Sequence, residues 1–158
     1  MNTYLVALLV FSAGYILNIF YITVLYHRGI AHGAVQLSPA LRQWTIMSGS
    51  WITGIDLKSW ACMHRLHHAH SDTALDPHSP IHYGVFGVML GQLRSYQKTI
   101  IGLAANKSKY ADIVKDLDFP VHWLNRKKMW LLPYALHIVI AAVVVYFTGS
   151  VLIGVAYW

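Results

Sequence analysis

Charged side chains are scarce in this sequence: only 11% of its 158 residues are Asp, Glu, Lys or Arg. Soluble domains carry about 25% charged residues, and disordered segments combine high net charge with few hydrophobic residues. Here 56% of the residues are hydrophobic and the mean hydropathy is +0.46. The composition therefore excludes an ordinary soluble domain and a disordered segment, and it predicts an integral membrane protein.

Cysteine is nearly absent. Cys62 is the single cysteine, which excludes an intramolecular disulfide and a thiolate zinc site and is typical of a reducing compartment. We expect this residue to be a small buried side chain rather than a reactive thiol.

Acidic residues are also few, six against twelve Lys and Arg, and every charged residue lies between Arg28 and Lys128. An excess of Lys and Arg beside apolar segments marks the cytoplasmic side of a membrane. We therefore expect residues 28–128 to face the cytoplasm, at a bacterial inner membrane or the endoplasmic reticulum, and we expect no nucleic-acid partner. A minor alternative is that some basic side chains meet phosphate on a substrate or a lipid headgroup.

Two uncharged, apolar runs predict membrane-spanning helices. Residues 4–26 would rise about 34 Å as an α-helix, enough to cross a bilayer, and residues 129–147 predict a second span. Residues 151–158 would begin a further helix that is too short to cross, so we expect the chain to be a fragment of a larger protein. His137, inside the second run, is expected to hold helices together by a hydrogen bond.

Residues 38–55 predict an amphipathic or interfacial helix, because apolar residues recur there at helical spacing with Arg42 and Gln43 among them. If this helix crossed the membrane instead, the histidines before and after it would lie about 30 Å apart. Residues 56–128 then form a cytosolic region with a helical cap. The predicted fold is an all-α integral membrane protein in which transmembrane helices carry this cap.

The first histidine pair, His27 and His32, follows the first apolar run. Residues five apart on an α-helix are separated by about 140° around its axis. Both rings can therefore reach one centre only if the helix ends or loosens near Gly29, which a residue without a Cβ atom permits.

A second group, His64, His67 and His68, has the spacing i, i+3 and i+4. These positions lie on one helical face, so three imidazoles can converge without any special backbone. Neutral imidazole suits iron, zinc, copper and nickel. We therefore expect the five histidines of the two groups to meet in one metal-binding pocket.

The motifs HRGIAH, from His27 to His32, and HRLHHAHSDTALDPHSP, from His64 to Pro80, resemble the first and second histidine boxes of the membrane fatty-acid desaturases, specifically the delta-9 acyl-CoA branch. Trp60, four residues before His64, also fits that pattern. The resemblance runs from about His27 to Leu93, although Met89 to Gln92 replace the usual His-x-Gly-Trp. A third box of the type His-x-x-His-His is absent, and it would lie past Trp158.

The resemblance implies two iron ions held by histidines in a cytosolic cap. It carries five residues over as metal ligands: His27, His32, His64, His67 and His68. Candidates for orienting these ligands from behind are Asp72, Asp76 and His78, with turn formation or surface roles as the alternatives. Candidates for contacting a headgroup or a partner protein are Arg28, Arg65 and Trp60, with a local salt bridge as the alternative for the two arginines.

The implied activity is that of an O2-dependent, stearoyl-CoA 9-type acyl-CoA desaturase, which introduces a cis double bond during unsaturated fatty acid biosynthesis. The implied partners are a fatty acyl substrate on coenzyme A, on a carrier or in a lipid, an electron donor such as cytochrome b5 or ferredoxin, and membrane lipids. The alternatives are a related di-iron hydroxylase or alkane monooxygenase, and a non-catalytic metal-binding membrane protein. Because two irons need about eight ligands or more, we expect this chain not to desaturate by itself.

Overall fold

The computed structural model of the chain describes residues 2–76 and 78–157. Within these residues every regular element is a helix, as the predicted all-α class requires. In chain order the helices are α1 (Thr3–Ile19), a π-helix that continues it (Phe20–Ala31), α2 (Pro39–Thr53), α3 (Leu57–His70), α4 (Pro80–Ala104), α5 (Ser108–Ala111), a 3₁₀ turn (Asp112–Val114), α6 (Trp123–Arg126), α7 (Leu132–Thr148) and α8 (Val151–Tyr157).

Helix α1 and the π-helix form one continuous rod, Thr3–Ala31. Asn2 starts it by accepting a hydrogen bond from the backbone N–H of Tyr4, and most of its early apolar side chains, such as Leu8 and Ile16, face outward. With 29 residues and a mean hydropathy of 2.2, this rod is the one helix in the described part of the chain that is long and apolar enough to cross a membrane.

Helix α2 occupies the stretch where the amphipathic helix is predicted. The Ser38 hydroxyl accepts a hydrogen bond from the Leu41 N–H, and Pro39 supplies a preset first helical residue. Gly54 ends the helix with a φ of 70°, a conformation that favours glycine. The chain then turns directly into α3, so α2 leads from the first histidine pair to the second.

The core lies where α3 packs against the π-helix. Leu25 and Tyr26 from the π-helix and Ala61 and Cys62 from α3 are almost fully buried there. The expectation that Cys62 is a buried side chain is confirmed, and burial raises the pKa of its thiol to about 12, which makes it inert as a nucleophile.

Asp56 fixes the start of α3. Its buried carboxylate accepts hydrogen bonds from the Ser59 N–H, which caps the helix, and from the His122 N–H. Its own N–H donates to the Tyr96 hydroxyl on α4. One loop residue therefore joins α3, α4 and the segment before α6.

Helix α4 is the element that the sequence patterns did not predict. Ser79 caps it, and Gly84 interrupts its regular dihedrals with a φ of 66°. Helix α4 packs against α3 and α5. Its buried residues are all small, which allows this close packing: Gly91, Ser95, Thr99 and Gly102.

Helix α7 starts at Leu132, three residues later than the predicted span, because residues 127–131 form turns and Lys128 has a φ of 59°. Helix α8 packs against both α1 and α7. Trp158, the last residue of the predicted further helix, lies outside the described residues. The hydrogen-bonding role expected of His137 is confirmed: its Nε2 lies 2.9 Å from the Trp51 carbonyl and its Nδ1 2.9 Å from the Tyr157 hydroxyl.

Candidate metal centre

The π-helix brings the first histidine pair together. A π-helix is hydrogen-bonded from residue i to i+5, so residues five apart lie one above the other. The His32 N–H closes this pattern on the His27 carbonyl at 3.0 Å, and the two ring centroids are 4.6 Å apart. The helix thus loosens as expected, but it does so over all of Phe20–Ala31 rather than near Gly29, and it does not end there.

Helix α3 presents two further imidazoles to this pair. His64 and His68 lie one turn apart, with ring centroids separated by 4.5 Å, and the His64 ring is also 4.5 Å from that of His27. The Nε2 atoms of His32 and His64 are 3.0 Å apart. We call these four residues the four-histidine cluster: His27, His32, His64 and His68, which offer one ligand atom each within 4.8 Å of one another.

The surroundings of the four-histidine cluster keep His32 and His64 neutral. Burial, followed by the neighbouring imidazoles, lowers the pKa of His64 to about 3 and also lowers the pKa of His32. Neutral rings keep a lone pair for a metal. Because two ring nitrogens at 3.0 Å must share a proton or a cation between them, the donor set fits a histidine-ligated transition metal.

His67 does not join this cluster, which corrects the expectation of one pocket for all five histidines. It belongs to a neighbouring group, the His67 group, made of His67, Asp76 and His78. The reason is helical geometry: consecutive residues on α3 are about 100° apart, so His67 points to one side of the line through His64 and His68. The two groups still touch, since the ring centroids of His67 and His68 are 5.7 Å apart.

Asp76 orients His67. Its buried carboxylate lies 2.9 and 3.0 Å from the His67 Nδ1 and also accepts the backbone N–H groups of Asp72 and His78. Although burial raises the pKa of Asp76, these hydrogen bonds lower it to about 2. An ionised carboxylate selects the tautomer with the proton on Nδ1, which leaves the His67 Nε2 free as a ligand.

His78 and Asp72 lie beside this pair in different ways. The His78 ring stacks on His67 at 4.5 Å, and its Nδ1 is buried without a hydrogen-bond partner among the described residues. The Asp72 side chain accepts a hydrogen bond from the Ser79 hydroxyl and contacts no histidine nitrogen there. Its φ of 61° places it in a turn. Of the proposed orienting residues, Asp76 thus makes the expected contact, whereas Asp72 shapes the loop.

Trp60 and Arg65 point inward rather than toward a headgroup or a partner protein. The Trp60 ring lies flat on His64, with centroids 4.8 Å apart and an angle of 7° between the planes, and only 9% of the residue is exposed. Arg65 forms the local salt bridge named as its alternative, to Asp116. For Arg28 the described residues provide no side-chain hydrogen bond or salt bridge.

The site therefore consists of two adjacent groups of metal-ligand type, held by the π-helix, α3 and the loop after α3, an arrangement that suits a metal-binding protein. The comparisons with known proteins define the class further. The family model "Fatty acid desaturase" matches residues 2–158, so the chain belongs to the fatty acid desaturase family. It is thus a protein of lipid metabolism with the histidine clusters described above.

Three curated relatives resemble parts of the chain. An "Acyl-CoA C20 Delta5-desaturase" from Anemone leveillei is 36% identical over 66 residues, which cover 42% of this chain and 21% of that protein. "Acyl-CoA 5-desaturase AL21" from the same plant is 38% identical over 64 residues, or 40% and 20%. "Delta-9 acyl-lipid desaturase 1" from Arabidopsis thaliana is 36% identical over 75 residues, or 48% and 23%. The matched stretches span about a fifth of these relatives. No solved structure matches the chain.

Proposed function

We propose that this chain forms the iron-binding part of a membrane acyl desaturase. The observation that carries this proposal is the meeting of His27, His32, His64 and His68 within 4.8 Å, in a chain that matches the desaturase family over residues 2–158. Two iron ions are the proposed cofactors. The four-histidine cluster would hold one, and His67, oriented by Asp76, would contribute to the other.

Iron would supply the chemistry that side chains lack. Breaking an unactivated C–H bond of an acyl chain needs O2, electrons and a metal, because no side-chain acid or base can do it. The residues of this chain do the rest. The π-helix and α3 hold the imidazoles in place, burial keeps His64 neutral, and the Asp76 carboxylate keeps the proton of His67 on Nδ1.

The proposed reaction is the introduction of a cis double bond at the delta-9 position of a saturated acyl chain. The two histidine-box motifs support this regiospecificity, as does the printed name of the Arabidopsis relative, whereas the two Anemone relatives are named as delta-5 enzymes. The acyl group would arrive on coenzyme A, on a carrier or in a lipid. Electrons would come from a donor such as cytochrome b5 or ferredoxin.

The proposed location is a bacterial inner membrane or the endoplasmic reticulum, with the iron site on the cytoplasmic side. The apolar rod Thr3–Ala31 supports one span. Leu132–Thr148, shorter at 17 residues, would be the second span, and α2 would lie at the interface. All charged residues except Arg28 fall between these two helices in the sequence, and Arg28 lies in the last turn of the rod, as expected for a cytoplasmic region.

Iron binding is the first test. Purified chain reconstituted with Fe²⁺ under anaerobic conditions should retain iron through gel filtration, and His64→Ala should remove the ion of the four-histidine cluster. His67→Ala should affect only the second ion, and His70→Ala, on the same helix but outside both groups, should change nothing. Wild-type chain that retains no iron would contradict the proposal.

Product analysis is the second test and separates the alternatives. Because five imidazoles are fewer than two irons need, we expect no double bond from this chain alone in a desaturase-deficient host. A chimera that carries this chain's matched stretch within the Arabidopsis relative, which is named as a desaturase, would supply the ligands that the stretch lacks. Acyl chains with a new double bond from the chimera support a desaturase, and hydroxylated acyl chains indicate a hydroxylase. If the iron-loaded chimera forms neither product, the result indicates a non-catalytic metal-binding protein.

A further inference from the structure

Arg65 links α3, which carries His64 and His68, to the end of the π-helix beside His32 through hydrogen bonds to backbone carbonyls. It lies on α3 next to His64, and its Nε donates to the carbonyl oxygen of Ala31 at 2.9 Å. A longer contact of 3.5 Å joins its Nη2 to the Ile30 carbonyl. Both carbonyls belong to the last turn of the π-helix, directly before His32.

These carbonyls need a partner from outside the helix. The last C=O groups of any helix have no intrahelical donor, and a π-helix with its i to i+5 pattern leaves one more of them than an α-helix does. The Ala31 carbonyl shares its peptide plane with the N–H of His32. A donor on Ala31 therefore fixes the plane from which the His32 side chain starts.

The guanidinium is itself held from the other side. Its Nη1 donates to the Ile113 carbonyl at 2.9 Å, and Asp116 accepts two parallel hydrogen bonds at 2.6 and 2.9 Å. Such a fork fixes the plane of the guanidinium as well as its position. Only 22% of the Arg65 side chain is exposed, so the group is an internal brace rather than a surface charge.

We propose that Arg65 is a positioning residue for the metal centre, acting through His32. By holding the end of the π-helix against α3, it keeps the His32 Nε2 opposite the His64 Nε2. This inference rests on the proposed function, since it assumes that the four-histidine cluster holds a metal. The sequence analysis named Arg65 as a candidate for contacting a headgroup or a partner protein, with a local salt bridge as the alternative, and the structure shows that salt bridge beside the contacts to the π-helix.

The test is a titration of the purified chain with Co²⁺, followed by its visible absorption, which reports both affinity and coordination geometry. We expect Arg65→Ala to weaken binding about 10- to 100-fold, as residues behind a metal ligand typically do, and to change the spectrum. Arg65→Lys should fall between, because a single ammonium does not reproduce the planar fork. Arg42→Ala is the matched control: it also removes an ion pair, to Asp118, but away from the cluster, and binding should not change.

A double-mutant cycle separates positioning from general stability. In a His32→Ala background, Arg65→Ala should cause little further loss, because the residue through which it acts is gone. Equal losses in both backgrounds would overturn the inference, as would wild-type affinity and spectrum in Arg65→Ala. If Arg65→Ala does not fold, Asp116→Asn tests the same brace from its exposed side and should weaken binding several-fold; unchanged binding there would count against the inference. No cobalt spectrum from the wild-type chain would instead overturn the proposed metal function.

Discussion

The Nε2 atoms of His32 and His64 lie 3.0 Å apart although 32 positions separate the two residues in the chain. Helix α2 lies in that interval and packs against both the π-helix and α3. Such a close approach is favourable when one ring donates an N–H to the other or when a cation lies between the two nitrogens. This pair therefore joins the π-helix to α3 within the four-histidine cluster.

Asp76→Asn should weaken metal binding at His67 about 10- to 100-fold, because the variant removes the charge that fixes the His67 tautomer. Metal stoichiometry and affinity, measured with Fe²⁺ or Co²⁺, check this. Asp72→Asn is the matched control in the same loop, since its side chain contacts Ser79 rather than a histidine. Equal effects of the two substitutions would show that loop stability, not His67 orientation, is what Asp76 provides.

Trp60→Leu should lower the metal affinity of the four-histidine cluster by a few-fold, while Trp60→Phe should retain most of it. Stacked aromatic pairs contribute about 0.5–1.5 kcal/mol, or about two- to tenfold in a binding constant, when the stack holds His64 in its ligating orientation. Cobalt titration measures the change. Trp130→Leu, at an exposed position, serves as the control. Full affinity in Trp60→Leu would mean that the ring only fills space.

Gly49→Ala should destabilise the fold by roughly 1–3 kcal/mol, the usual cost of overpacking. A Cβ atom at Gly49 would overlap the Tyr26 hydroxyl, and that buried ring is tied to the Ile55 carbonyl by a 3.0 Å hydrogen bond. Gly87→Ala on α4 should be neutral or stabilising, because its Cβ would meet Tyr83 at an ordinary 3.4 Å. Denaturant unfolding in detergent compares the two variants, and equal stability of both would refute the packing argument.

Acidification should weaken the attachment of Arg65. The hydrogen bonds from Arg65 lower the pKa of Asp116 below its ordinary value. The carboxylate therefore stabilises the fold at pH values above about 3.9, its value in an unfolded chain, and this contribution is lost as the pH falls below that. Asp116→Asn should unfold with less dependence on pH between 6 and 3 than wild type. Asp112→Asn, which removes a carboxylate without an ion pair in the described part of the chain, should keep the wild-type dependence.

Much of the site follows from spacing alone, and its exceptions have physical causes. His64 and His68 meet because positions i and i+4 share a helical face, which the sequence predicts correctly. Around α3, His67 lies about 60° from His64 and about 100° from His68, so its ring points to one side of the other two. The pocket for five rings thus resolved into two adjacent groups.

The sequence predicts those helices whose ends are set by local signals, and it does not predict those features that depend on tertiary contacts. Ser38 and Pro39 announce α2, and Gly54 ends it. The sequence predicts a loosened helix near Gly29 but not a π-helix over all of Phe20–Ala31, which packs against α2 and α3. Helix α4 was missed because Pro80 and Gly84 are typical of loops, although in the structure Pro80 starts the helix and Gly84 only bends it.

The π-helix also sets how the first pair tolerates a change in length. Deleting one residue between His27 and His32 would leave a spacing of four, which an ordinary α-helix already displays on one side. Inserting one would separate the rings under either hydrogen-bonding pattern. The segment should therefore tolerate a deletion better than an insertion. An α-helix can still bring the two rings of a shortened segment together, whereas no regular helix does so for a lengthened one.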